Sequence, residues 1–442
     1  MSDSLTAPAD NLASPEVFRQ RQQSLALAAE WFVERQQEAW QRYLTLPWPT
    51  RVQEKWRFAN LKAVQDIERF APAPFAVPEA DELVARSNVL SETAGRLIFV
   101  DDNIAAPIEL KPELAQQGVI FTPLIDALNR YPELVQKYFM AQTPELGSEK
   151  FENLHVAMLR AGVFLYVPKG VEIKEPFAVY HWTKQDGTAI FPHTIVVCED
   201  NASGTLVEFQ NGAAADTEHL VIANAHLYAG NGAKPQHRII QNWNERTLSF
   251  QLNTSNAQRD VESKQVIINV GSKQARQEIH GKIFGSGSNV ELYSLGVPRG
   301  EQEFDQRTLQ THIAPNSRSD LLYKNALSDD TRTIFSGLII VEEGAQQTDA
   351  YQTNNNLMLS DKAEANSLPG LEIGANDVKC SHGATSGRID DSEIFYFLAR
   401  GIPRNKAQEL MVFGFCEEIL EKFNNQELAT FVRDLVTAKF TA

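Results

Sequence analysis

From about residue 150 to residue 385 the chain is a succession of short β-rich runs punctuated by Gly, Asn, Ser and Asp, and no long helical pattern interrupts it. Thr194-Ile195-Val196-Val197-Cys198, Thr205-Leu206-Val207-Glu208-Phe209 and Val290-Glu291-Leu292-Tyr293-Ser294-Leu295 are typical. Their β-branched and aromatic residues fit a pleated, half-buried surface. Gly204, Gly232, Gly287 and Gly344 mark turns at intervals of 28, 55 and 57 residues, one or two multiples of a unit of roughly 28. Units of that kind predict a solenoid, each coil pairing its strands with those above and below. A large antiparallel sandwich is the competing all-β arrangement. It is joined by tight hairpins, and only Asn211-Gly212 and Asn231-Gly232 carry that signature. The expectation is therefore a mainly β chain with a parallel β-helix core.

The flanks read as helical. Ser14-Pro15-Glu16 supplies a capping hydroxyl, a proline at the first helical position and an acid at the positive end of the dipole. Leu25, Ala28, Phe32, Trp40, Tyr43 and Leu44 continue at helical spacing, predicting one helix that ends before Pro47-Trp48-Pro49. Helical or mixed signals run on to about residue 150, including Glu133-Leu134-Val135-Gln136-Lys137-Tyr138-Phe139. After residue 386, Asp390-Asp391-Ser392-Glu393 starts a helix that Gly401 stops, Pro403 starts a second over 406–420, and Asn424-Asn425 precedes a third. The expected domains are a mainly helical 1–150, a β-helix core at 151–385 and a helical 386–442.

At 442 residues the chain exceeds the size at which one core stops growing, so one large elongated unit with appendages, or two to three domains, is expected. A net charge of -16 opposes nucleic-acid binding, which rests on Lys and Arg neutralising phosphates. No apolar run approaches the length of a membrane helix, and the opening residues lack a basic segment and an apolar core. They read as a short disordered leader, and the expected location is the cytoplasm, away from the membrane. Cys198, Cys380 and Cys416 are odd in number and far apart, offering neither a disulfide framework nor a self-contained zinc or cluster site.

The most chemically loaded stretch is Asp377-Val378-Lys379-Cys380-Ser381-His382-Gly383-Ala384-Thr385. On a strand, the period of two puts Cys380 and His382 on one face, where thiolate and imidazole can approach one soft or borderline metal. Two ligands do not complete a four-coordinate site, and a buried cysteine beside a hydrogen-bonded histidine is the plainer alternative. The other eight histidines lack metal-ligand spacing and are expected in core or surface roles, as are Cys198 and Cys416. Asp329-Asp330 and Asp390-Asp391 point to opposite faces of a strand, so turn and cap roles outweigh acid–base chemistry. The chain carries no phosphate-binding Gly-x-x-x-x-Gly-Lys-Ser/Thr loop and no Gly-x-Ser-x-Gly or His-Glu-x-x-His motif, so neither ATP hydrolysis nor other catalysis is expected of it alone.

Several ordered phrases together resemble the SufB/SufD family of iron–sulfur cluster assembly proteins. They are Gly162-Val163-Phe164-Leu165-Tyr166-Val167-Pro168-Lys169-Gly170, Arg332-Thr333-Ile334-Phe335-Ser336-Gly337, Gln347-Thr348-Asp349-Ala350-Tyr351-Gln352, Cys380-Ser381-His382-Gly383-Ala384-Thr385 and Phe395-Tyr396-Phe397-Leu398-Ala399-Arg400-Gly401. Glu54-Lys55-Trp56-Arg57-Phe58 resembles the opening of the SufD branch. Ala363, shortly before Leu368-Pro369-Gly370-Leu371-Glu372, stands where the SufB branch carries a cluster-related cysteine. The resemblance implies a right-handed parallel β-helix in a non-catalytic scaffold that works with a SufB-like paralogue and a SufC-like ATPase. It implies no cofactor on the isolated chain and a nascent iron–sulfur cluster at the interface with SufB, with His382, supported by Cys380, facing it. It also implies an ATPase docked on the C-terminal helices, with Arg400, Gly401, Glu409, Met411, Phe413 and Phe415 as candidate contacts. Whether a reduced flavin binds, and whether the lone chain forms a homodimer, the sequence leaves open. The alternatives are a β-helix carbohydrate-active enzyme and a structural homodimeric binding module without an iron role.

Overall fold

The computed structural model describes residues 11–25, 29–75 and 79–441. The leader expectation for the first ten residues, and Ala28 as a helix-face residue, lie outside them. Among the described residues six helices reach eight residues: α1 (Pro15–Gln23), α2 (Glu30–Thr45), α3 (Glu149–Met158), α4 (Asp391–Leu398), α5 (Arg404–Leu420) and α6 (Gln426–Thr441).

Between α3 and α4 the chain winds as a parallel β-helix of about eight turns. Its long strands alternate between two sheets. Sheet A stacks His193–Cys198, His219–Ala229, Leu248–Ala257, Gln274–Ile283, Glu303–His312, Arg332–Val341 and Glu364–Ile373. Sheet B stacks Phe177–Thr183, Ser203–Gly212, Lys234–Asn242, Glu262–Asn269, Asn289–Gly296, Arg318–Leu327, Thr348–Met358 and Val378–Arg388. Neighbours within each stack are parallel. Leu220, Leu248, Gln274, Glu303, Arg332 and Glu364 stand one above another, which makes successive coils 28, 26, 29, 29 and 32 residues long.

One corner of the coil has a left-handed residue at each level: Asn201, Gly232, Asp260, Gly287, Asn316 and Gln347, with φ between 55° and 76°. Of the four glycines that marked the repeat, Gly232 and Gly287 alone occupy this corner. A Cβ there would come within 2.4 Å of Asn201 Oδ1 and 2.2 Å of Asp260 Oδ1 respectively, so the side chain one coil below demands glycine at both. Gly204 lies inside a strand and Gly344 has no positive φ. At the other levels Asn and Asp take the left-handed turn, which short polar side chains tolerate. Asn211-Gly212 and Asn231-Gly232 are likewise a strand end and a corner, and neither forms a hairpin.

The N-terminal segment is two helices where one was expected. Ser14 caps α1 through Val17 N–H, and the helix closes at Ser24, whose backbone N–H bonds to the Gln20 and Gln22 carbonyls. The break lets Phe18 stack on Trp40 of α2 at 4.8 Å, and both helices pack with α3 over the outer face of sheet A, around Leu220, Ile222, Phe250 and Leu252. Leu44, expected on the apolar face, is 47% exposed. Part of the N-terminal segment belongs to the sheets: Gly95–Val100 pairs in parallel with Phe177–Thr183, and Ile120–Pro123 pairs antiparallel with Gly162–Val167. That antiparallel strand closes the first end of sheet A. The 150/151 boundary falls inside α3, and the 385/386 boundary inside Val378–Arg388.

At the C-terminus the Asp390 side chain caps α4 through Ser392 N–H, and Gly401 has φ 78°. α5 begins at Arg404 with Pro403 as its cap residue, and Asn424 turns left-handed before α6. Val412, Cys416, Ile419 and Leu420 of α5, with Leu428, Val432 and Val436 of α6, cover the outer face of sheet B at Phe209, Ile240, Ile268 and Tyr293. No helix among the described residues is long and apolar enough to cross a membrane.

Candidate functional site

Cys380 and His382 lie on Val378–Arg388, the last strand of sheet B. Register stacks His382 on Gln352, which stands on Leu321, Leu292, Gln265 and His237 in turn. This column points into the bore. His237 Nε2 bonds to Glu208 Oε1 at 2.6 Å, Leu292 and Leu321 pack with Phe335 of the opposite sheet, and Gln352 donates across the bore to the Gly337 carbonyl at 3.2 Å. The two-residue period therefore gives Cys380 and His382 the same, inward face, as expected from the sequence. Among the described residues no further coil covers them, and His382 is exposed at the mouth of the bore. Cys380 stacks on Ala350 and is half-buried against Ile339, Val341, Ala345 and Ala375. Burial pushes its thiol above the ordinary range, with Asp349 adding to the effect and the Ala350 backbone opposing it. A thiol raised in this way stays protonated and is a poor nucleophile.

Of the nine histidines, the other eight are all buried. Most are tied to fixed partners: His155 to the Ile222 carbonyl at 2.6 Å, His226 to Thr254 at 2.7 Å, His312 to Ser317 at 2.7 Å and Ser319 at 2.9 Å. Cys198 and Cys416 are also buried, their thiols pushed up to about 12. Asp329 sits at a left-handed corner and accepts from Gly300 N–H at 2.8 Å, and Asp390 is a helix cap, so both acid pairs supply turn and cap groups. Among the described residues no three His, Cys, Asp or Glu side chains are arranged to hold a metal ion.

The mouth has two further features. Ala363 stands immediately before Glu364–Ile373, the last strand of sheet A. That strand and Val378–Arg388 are 10 and 11 residues long and each is paired on one side only among the described residues, so each presents a row of free backbone groups. Tyr351, Leu368 and Ile373, at 37%, 37% and 44% exposure, surround this end with apolar surface. The sequence reading missed Leu368 and Ile373. No local signal marks them, because an apolar strand residue reads the same in a covered and an uncovered coil.

In the C-terminal unit, Arg400 lies with its guanidinium carbon 3.4 Å from the Tyr396 ring centroid, and Glu409 is paired with Lys406 at 2.7 Å. Met411, Phe413 and Phe415 are half-buried. Phe413 and Phe415 pack on the sheet B cluster, and Lys324 Nζ lies 4.5 Å from the Phe415 ring. The open apolar surface beside Arg400 and Gly401 is instead Phe395 (68% exposed), Tyr396 (56%), Leu398 (42%) and Leu410 (41%).

Two family profiles match. The SufBD protein N-terminal region covers residues 14–179, and the SufBD core domain of SUF system FeS cluster assembly covers residues 181–415. Among similar proteins are the iron-sulfur cluster assembly protein SufD of Bacillus subtilis, 29% identical over 386 residues and 86% of each chain, and its namesake in Escherichia coli, 28% identical over 397 residues and 89% of each chain. A SufBD family protein of Synechocystis is 28% identical over 348 residues, 75% of this chain and 70% of the relative. The matched core runs through the coils, the open mouth with His382 and helices α4 and most of α5. The chain belongs to the SufBD family of SUF iron–sulfur cluster assembly proteins.

Proposed function

We propose that the chain is a SufD-type scaffold subunit which joins a SufB-like paralogue through the open end of its β-helix and helps build a nascent iron–sulfur cluster at that junction. The observation that carries this is His382, the one exposed imidazole of nine, at the open mouth of the bore beside two long strand edges that are free among the described residues. A similar β-helix meeting this end completes both edges, since backbone pairing across a free edge needs no particular side chain. It brings to His382 the thiolates that this chain lacks, and a ligand set divided between two chains opens and closes with their relative movement. A SufC-like ATPase docks at the C-terminal helices around Phe395 and Tyr396, and the stiff coil stack transmits its movement to the junction. Alone, the chain closes its edges with a second copy of itself by the same pairing, and it turns over no ATP.

The test is His382→Ala in a complex co-expressed with a SufB-like partner and a SufC-like ATPase and handled without oxygen. The exposed imidazole contributes little to the fold, so the unfolding free energy stays within about 0.5 kcal/mol. Iron and sulfide per complex fall by about tenfold or more, as loss of a ligand or its orienting group does at metal sites. Full iron and sulfide in a stable variant would refute the reading.

A further inference from the structure

A cavity of about 640 Å³ lies between α2, α3 and the segment around Glu145, and shares no lining residue with the mouth or the C-terminal helices. Five carboxylates line it, and four have a cation of their own. Glu38 pairs with Arg35 at 3.5 Å, Glu149 with Arg42, Glu145 with Lys282 at 3.6 Å and Glu278 with Arg276 at 2.7 Å. The fifth, Glu152 of α3, has none. It is 6% exposed, and its Oε1 atom is buried without a hydrogen-bond partner. Among the described residues it is the one buried side-chain polar atom on this wall left without a partner, so a donor entering the cavity would satisfy it. The one lysine on the wall, Lys55, is engaged with the Glu145 carbonyl at 2.6 Å. Ala39, Met140 and Val156 give the same cavity an apolar side.

We propose that this cavity binds a small organic cation, an alkylamine or guanidinium compound, with its charged head on Glu152 and its aliphatic stem against Ala39, Met140 and Val156. Five carboxylates against Arg35, Arg42 and Lys55 disfavour an anion. A metal ion is disfavoured because no three ligating side chains among the described residues are arranged for one. The volume lies near the middle of the usual range of roughly 300–1,000 Å³ for small-molecule pockets, which leaves ample room for a small cation.

Near neutrality the Glu152 carboxyl is held protonated. Burial pushes its carboxyl up to about 8, with Glu278, Glu149 and Glu145 adding to the rise and Arg42 opposing it. The groups facing it are Arg42 on α2, Glu149 on its own helix, Glu145 on the loop and Glu278 on the strand of sheet A. An ion pair needs the carboxylate, so binding releases the Glu152 proton to solvent as the cation takes its place. Affinity then rises about tenfold between pH 7 and pH 9.

Agmatine is the probe, titrated calorimetrically into the full chain at pH 7 and pH 9 in buffers of different ionisation enthalpy. The expected result is saturable 1:1 binding at millimolar or lower agmatine, the tenfold pH effect, and release of close to one proton per agmatine at pH 7. Glu152→Gln abolishes binding while the melting temperature and elution volume stay unchanged. Binding that survives Glu152→Gln, binding by the unaltered chain without proton release, absence of saturable binding, or competition by Mn²⁺ at micromolar concentration would each overturn the proposal. The proton count on the unaltered chain decides the matter even where the variant folds poorly.

Discussion

His155 meets the Ile222 carbonyl through Nδ1 at 2.6 Å and His193 through Nε2 at 2.9 Å, and the His193 ring lies 5.0 Å from that of His226. All three imidazoles are buried where α3 crosses sheet A. Burial lowers them, His155 to about 4 and His226 to about 3, and each neighbouring imidazole disfavours a charge on His193 further. Folded values below the ordinary 6.5 mean that the unfolded chain binds more protons as the solution is acidified. The stabilisation is full above about pH 6.5 and is lost as the pH falls toward 4, by at most about 1.4 kcal/mol per pH unit for each histidine. Urea unfolding midpoints should therefore drop progressively from pH 7 to pH 5, and His226→Gln should flatten the slope. A midpoint independent of pH across that interval would contradict the assignment. The sequence separated His382 from the others only by its neighbour Cys380 and the phrase around it, because whether an imidazole is covered depends on the coil above, which local residues do not encode.

At the scale of the element, strand period and corner chemistry explain what was legible. The coil length near 28 was visible because two corners require glycine, 55 residues and two coils apart. It was visible only faintly, because Asn201, Asp260, Asn316 and Gln347 adopt the same left-handed turn without it. The break between α1 and α2 was hidden, since both helices bury apolar faces against the same sheet and their spacing runs on across the gap. The open edges could not be read at all. A final strand differs from a middle strand only in having no further coil stacked on it, and the apolar Leu368 and Ile373 would be ordinary in a covered coil. That exposure gives a direct test of the junction. Leu368→Lys with Ile373→Lys places two charges at the mouth, where desolvation on docking disfavours them. Circular dichroism and the melting temperature should stay close to those of the parent chain. Association with a SufB-like partner, or with a second copy in sedimentation at the same concentration, should weaken by at least tenfold. An unchanged association would move the junction elsewhere on the molecule.

Across the whole molecule the appended helices serve two purposes that the sequence could not distinguish. The N-terminal helices seal the outer face of sheet A, α5 and α6 seal that of sheet B, and α4 protrudes with Phe395 and Tyr396 in solvent. Removing 390–442 would thus strip the cover from Phe209, Ile240, Ile268 and Tyr293 as well as any partner surface. At roughly 25 cal/mol per Å², exposing several hundred Å² of that face costs about as much as the whole stability of a typical domain. Loss of ATPase co-purification by such a truncation would report unfolding as readily as a missing contact. Phe395→Ser with Tyr396→Ser separates the two, because both side chains are more than half exposed and leave the sheet covered. The paired variant should melt within about 2 °C of the parent, since surface changes of this kind seldom exceed 0.5 kcal/mol. If α4 is the docking helix, pull-down of a SufC-like ATPase should fall at least tenfold, while pairing with the SufB-like partner through the strand edges at the mouth is retained. Undiminished pull-down beside an unaltered melt would remove α4 from the interface and leave Met411, Phe413 and Phe415, half-buried on α5, as the surface to vary next.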